Sequence, residues 1–219
     1  MPFPKPLLSV VVSTPVSCAS TRWLLSSGDS RDYNFYPDML NPRYSLVAYV
    51  NRPVGEFVEK LRRELHPDLP HLAAHLTILP PRPLHSTETV ALASLERLCE
   101  QVEPFEIDLG EVETFLPNTP TVYIRIKYGA SRMCELHDRL NMEPLACAEE
   151  WPYIPHLTIV KMGEPDPAQA AYKVASERWA NYAGNRHILL EKLTFVREQT
   201  TNRWVDVAPI QLGRRLVSR

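Results

Sequence analysis

The chain has 219 residues, with 24 lysines and arginines against 26 aspartates and glutamates, for a formal net charge of −2. Apolar residues make up 44%, enough for a sizeable core, which excludes a wholly disordered chain; no apolar run approaches the roughly 18 residues of a membrane span. The balanced charge argues against a protein that coats long duplex DNA or RNA, but leaves room for one phosphate-bearing ligand in a pocket.

Residues 1–43 differ from the rest. They hold Pro2, Pro4, Pro6, Pro15, Pro37 and Pro42, a Ser/Thr cluster and no sustained helix or strand period. A disordered or loosely packed extension is expected. Lys5, the apolar stretch 7–12 and Cys18 faintly resemble a secretory or lipoprotein signal, but Ser9, Ser13, Thr14 and Pro15 interrupt it. Cys18, Cys99, Cys134 and Cys147 show no C-x-x-C spacing, so unpaired thiols in a reducing, cytoplasmic setting are expected.

Regular structure begins at Tyr44. Residues 45–50 form a β-branched, apolar run and read as a strand. Val54, Phe57, Val58, Leu61 and Leu65 recur at helical spacing, which predicts a helix over 54–65. Residues 75–79 read as a strand stopped by Pro80 and Pro81. A helix follows over 86–102, capped by Ser86 or Thr87, and 105–115 reads as a bent strand or strand pair.

The second half repeats this order. Residues 121–127 alternate as a strand, with Val122, Ile124 and Ile126 on one face and Tyr123, Arg125 and Lys127 on the other. A helix is predicted over 131–142, a strand over 156–160, and a helix over 166–182 capped by Asp166 with Pro167 in its first turn. Strands over 188–196 and 204–212 close the chain. The pattern predicts an α+β fold in which a duplicated αβ unit makes two lobes related by an approximate two-fold. Antiparallel sheets would flank a central cleft, with helices on the outer faces. The lobes span approximately 44–115 and 116–212, with strand exchange between them left open, and a basic tail covers 213–219.

The chemistry lies in two matching strands. In His75-Leu76-Thr77-Ile78 the period of two puts His75 and Thr77 on one face and Leu76 and Ile78 on the other; His156-Leu157-Thr158-Ile159 does the same. A single H-x-T in a strand is common by chance. Two copies in the same context and in matching halves are not. The apolar pairs would pack on helices and the polar pairs would meet in the cleft. One neutral histidine can take a proton from an attacking oxygen while a protonated one gives a proton to the leaving oxygen. Threonine hydroxyls can hold the non-bridging oxygens of a phosphate. The set suits phosphodiester chemistry without a metal or cofactor.

These residues resemble the paired H-x-[TS]-x motifs of the 2H phosphoesterase superfamily, in particular its bacterial 2′-5′ RNA ligase-like branch, related to cyclic phosphodiesterases. The resemblance runs over residues 44–212. It implies a bilobal α+β fold, His75 and His156 as general acid and base in an order left open, and Thr77 and Thr158 as phosphate binders. It implies a substrate such as the 2′,3′-cyclic phosphate of an RNA end or small nucleotide, opened by hydrolysis, with reversible ATP-independent 2′-5′ RNA ligation as a second activity. Lys161 stands where such proteins often carry a basic residue after the second motif. The first motif runs instead into Pro80-Pro81-Arg82-Pro83, a departure from the more usual apolar continuation that could reshape one wall of the cleft.

Lys161 and Arg82 are candidate contacts to phosphate or ribose, and Tyr123 and Tyr153 candidate substrate contacts, with Arg125, Phe115 and Trp151 nearby. Each also has an ordinary reading, as a surface cation or as a packing aromatic. His71 and His75 at helical spacing lack the glutamate a zinc protease needs. No Gly-rich phosphate loop is present, which leaves ATP-driven chemistry without support. A monomer acting on a small substrate, away from membranes, is expected. A nucleotide-binding module that keeps the cleft but turns over little is the alternative.

Overall fold

A computed structural model describes residues 42–66 and 72–214, which belong to one compact unit. The amino-terminal extension with its signal-like stretch, His71 and residues 215–219 of the basic tail lie outside the described residues. In chain order the elements are β1 (Tyr44–Tyr49), α1 (Val54–Leu65), β2 (His75–Arg82), α2 (Glu88–Cys99), β3 (Phe105–Thr114), β4 (Thr121–Tyr128), α3 (Ala130–Leu140), β5 (His156–Lys161), α4 (Pro165–Ala180), β6 (His187–Leu190), β7 (Lys192–Thr200) and β8 (Arg203–Gln211).

The fold is α+β. Instead of two sheets, one continuous sheet of eight strands forms in the order β6-β3-β4-β5-β2-β1-β7-β8, and each neighbouring pair is antiparallel. It is continuous because β2 and β5 pair at Leu76 and Leu157. Strands cross the boundary marked by the sequence repeat: β3 pairs with β4 and β6, while β7 pairs with β1 and β8. The predicted strand over 188–196 is broken at Glu191. Its first part forms one edge of the sheet, and its second part joins β1 near the other. A single linking residue can reach both places only if the sheet is strongly curled. The backbone N–H of Leu212 donates to the Glu191 carbonyl (2.8 Å) and ties the end of β8 to this junction.

Alternation puts Leu46, Leu76, Ile78, Ile124, Leu157 and Ile159 in the core, all fully buried, with Val58, Leu95, Met133, Leu136 and Leu140 from the helices. The helices cross over. α1, which follows β1, lies against β5, and α3, which follows β4, lies against β2. Thr87 caps α2 by accepting from the Val90 N–H (3.3 Å). α4 starts one residue earlier than expected, with Pro165 rather than Asp166 opening it; proline suits that position because its missing N–H would be unsatisfied anyway. Gly129 opens α3 at φ 79°, where a Cβ would lie 2.6 Å from the Glu106 carbonyl oxygen, so glycine is required.

β2 continues past Pro80 and Pro81, which were expected to stop it. The prolines remove two donors, and pairing there is correspondingly irregular: Tyr44 aligns with Arg82 across a register shift, and the Ser45 hydroxyl donates to the Leu79 carbonyl (2.7 Å).

Candidate active site

β2 and β5 lie side by side at the middle of the sheet. One step to either side of the Leu76–Leu157 pair, antiparallel alignment sets His75 opposite Thr158 and Thr77 opposite His156. The four side chains named from the sequence therefore share one face of two adjacent strands. All four are half-buried.

The histidines are held alike. Nδ1–H of His75 donates to the Ala73 carbonyl (2.7 Å), and Nδ1–H of His156 donates to the Ile154 carbonyl (2.6 Å). A neutral ring held this way carries its lone pair on Nε2. Both rings keep Nε2 free for proton transfer. Burial pushes both imidazoles below their usual range. For His75 the value falls to about 4, with the charges of Arg62 and His156 adding to the effect of burial and the Ala73 hydrogen bond opposing it. The free protein therefore presents two neutral imidazoles at neutral pH.

A second likeness between the motifs is invisible in their residues. β1 pairs with β2 as Val47–Thr77 and then Leu46–Leu79, leaving Ile78 over; β4 pairs with β5 as Tyr123–Thr158 and then Val122–Val160, leaving Ile159 over. Each motif strand thus carries one extra residue immediately after its threonine. A bulge of this kind resets the alternation. Leu79 and Val160 turn into the core with the bulged isoleucines, and the next residues, Pro80 and Lys161, return to the face of the histidines. Lys161 is exposed there.

The flanking strands complete the surroundings. Arg125 aligns with His156 and Tyr123 with Thr158, while Tyr49 aligns with His75 and Val47 with Thr77. Phe115 stacks on Tyr123 (centroids 4.1 Å apart), and both rings meet His156 edge-on at 5.0 and 5.1 Å. The Tyr123 hydroxyl donates to Glu113 (3.1 Å), and burial with that carboxylate raises the phenol to about 12. Arg125 pairs with Glu111 (2.8 Å) and Glu113 (3.3 Å), and the Tyr49 hydroxyl donates to Asp206 (2.5 Å). Among the described residues, no group of three or more His, Cys, Asp or Glu side chains is arranged to hold a metal ion. A depression of about 750 Å³ opens at the start of α3 around Lys127, Ser131 and Arg132, and contains none of the motif residues.

Two residues named as substrate contacts are engaged within the protein. Arg82 is 1% exposed and cannot meet a substrate. Its guanidinium donates to the carbonyls of Pro80 (2.9 Å) and Leu145 (3.1 Å), to Asn141 Oδ1 (2.6 Å) and to the Glu149 carboxylate. Tyr153 lies flat against the His137 ring (4.1 Å, 6°), and its hydroxyl donates to the Thr77 carbonyl (2.7 Å), so its ring face and hydroxyl are both engaged within the protein. Tyr49, Glu113 and Asp206 were not singled out from sequence. Tyr49 alone carried a usable signal, a polar-tipped residue at the end of the strand preceding the first motif.

A model of the 2′-5′ RNA ligase superfamily matches residues 50–202. The "Putative phosphoesterase BH1439" of Halalkalibacterium halodurans is 26% identical over 117 residues, 53% of this chain and 68% of that protein. The "Putative phosphoesterase OB1230" of Oceanobacillus iheyensis is 24% identical over 125 residues, 57% and 73% of the two chains. Among solved structures, E. coli LigT complexed with NADP+ superimposes with a TM-score of 0.54 at 14% identity, over 80% of this chain and 99% of LigT. TT0787 of Thermus thermophilus gives 0.51 at 16% identity, over 78% and 99%. These structural likenesses speak for the fold, and the sequence match for the family. On that match, over the two H-x-T strands that the fold sets side by side, the chain belongs to the 2′-5′ RNA ligase superfamily.

Proposed function

We propose that this protein is a metal-independent phosphodiesterase that opens a 2′,3′-cyclic phosphate, at an RNA end or on a small nucleotide. The observation that carries this reading is the pair of imidazoles with Nδ1–H fixed to a backbone carbonyl and Nε2 free, each opposite a threonine of the other motif. One Nε2 takes a proton from water as the water oxygen bonds to phosphorus. The other ring, protonated, gives a proton to the ribose oxygen as its bond to phosphorus breaks. A phosphomonoester results. The Thr77 and Thr158 hydroxyls would donate to the non-bridging oxygens, with Lys161 adding positive charge beside them.

The free protein holds both rings neutral, so the acid must be charged on binding. A phosphodiester anion between the rings favours the protonated form of either one. With an RNA 5′-hydroxyl in place of water, the same proton transfers would give ATP-independent ligation. The two motif strands would act as halves related by an approximate two-fold. E. coli LigT structures hold 3′-AMP and ATP, which supports a nucleotide-bearing substrate here. Cys99, Cys134 and Cys147 are free thiols, which fits a cytoplasmic setting, and we take the working form to be the monomer.

The test is incubation in EDTA with the four 2′,3′-cyclic nucleotides and with a short RNA ending in a cyclic phosphate, products being resolved by ³¹P NMR. Opening to a phosphomonoester that is absent in the H75A/H156A double variant is expected. Binding without turnover across the panel would make the protein a nucleotide-binding module instead.

A further inference from the structure

β2 and β5 must hold the two motifs at a fixed spacing, yet they share a single register pair, Leu76–Leu157. The segment entering β5 carries more of the connection. The Tyr153 hydroxyl donates to the carbonyl of Thr77, inside the first motif. The next residue, Ile154, offers the carbonyl that holds Nδ1–H of His156, inside the second. Tyr153 is itself clamped: His137 of α3 stacks flat on its ring, and His137 Nε2 contacts Glu149 (2.9 Å). Glu149 also takes the guanidinium of Arg82, on β2 beyond the first motif. Asn141 holds Arg82 with its Oδ1, which also accepts from the Cys147 N–H (2.9 Å). The connection between α3 and β5 is therefore latched to β2 at two points, Arg82 and Thr77.

We propose that Tyr153 is a positioning residue that couples the two motifs, with the Arg82–Glu149–His137 cluster as its anchor. A buried cluster of this kind rarely repays its desolvation as stability, and fixing geometry is a use consistent with that cost. Loss of the Tyr153–Thr77 bond frees the segment that presents the Ile154 carbonyl. His156 then loses its fixed tautomer, while His75, held by Ala73 just ahead of β2, does not.

Y153F tests this, because it keeps the ring against His137 and removes only the hydroxyl. Imidazole ¹H–¹⁵N NMR of the full chain should show the Nδ1–H of His156 exchanging with solvent at least tenfold faster than in the wild type, with that of His75 unchanged. This readout needs no turnover and stands apart from the phosphodiesterase reading, on which only the kinetic arm rests. In that arm kcat should fall by about tenfold to a hundredfold with KM within about twofold, the scale of a misplaced catalytic group. E149Q, at the far end of the latch, should show the same selectivity more weakly. Unchanged exchange at His156 in a folded Y153F, or equal acceleration at both histidines, would overturn the proposal. If Y153F melts out, the same outcomes are read from E149Q.

Discussion

Lys161 stands on the same face of the sheet as His156 although the two are an odd number of positions apart, because the extra residue Ile159 resets the alternation of β5. Ile78 does the same in β2, but there the returning residue is Pro80, which offers no charge. On the proposed reading, the basic group beside the phosphate would thus come from the second motif strand.

K161A should raise KM for a cyclic phosphate about tenfold, the low end for a charged hydrogen bond because the side chain is exposed, and change kcat less. K161R should restore most of the loss. Steady-state kinetics check both. Unchanged KM in K161A would remove Lys161 from the substrate.

H75A and H156A should each lower turnover by about two to four orders of magnitude, the scale of acid–base catalysis. The double variant should be little worse than either single one, because the two proton transfers belong to one step. T77V and T158V should cost at most about 10²–10³-fold, as for one transition-state donor. Either single histidine variant turning over near the wild-type rate would show that the reaction does not use the pair.

The motif faces were legible because polar and apolar residues alternate through both H-x-T strands, and alternation is a local property of a strand. The stripe of Val54, Val58 and Leu61 was legible for the same reason at helical period. What escaped depends on partners distant in sequence. Nothing in residues 188–196 marks the break at Glu191, which arises because β6 and β7 pair with different strands. The bulges at Ile78 and Ile159 carry no glycine, and show only in the register against β1 and β4. Arg82 read as a free cation, and its burial depends on Glu149 and Asn141 arriving from the far side of α3.

Arg82 should accordingly behave as a structural residue. R82M leaves Glu149 in a largely buried site with one partner fewer and should cost about 3–5 kcal/mol, the scale for breaking a buried ion pair. Urea unfolding measures this directly. The surviving folded fraction should bind cyclic phosphate with near wild-type KM. A large rise in KM with little loss of stability would return Arg82 to the substrate.

Acid should destabilise the fold through the histidines. His75 titrates at about 4 in the folded protein against an ordinary 6.5, so between these values the unfolded chain binds a proton that the folded ring does not. Stability from this group is complete above about pH 6.5 and falls as the pH drops towards 4, by at most about 3 kcal/mol; His156, also depressed, adds an effect of the same sign. Thermal melts from pH 4 to 7 should therefore be steeper in pH for the wild type than for H75A. Inorganic phosphate, placing negative charge beside the rings, should raise both histidine titrations and flatten the wild-type curve. If wild type and H75A lose stability in parallel, the burial of His75 does not hold its ring neutral, and the charging of the acid on substrate binding loses its basis.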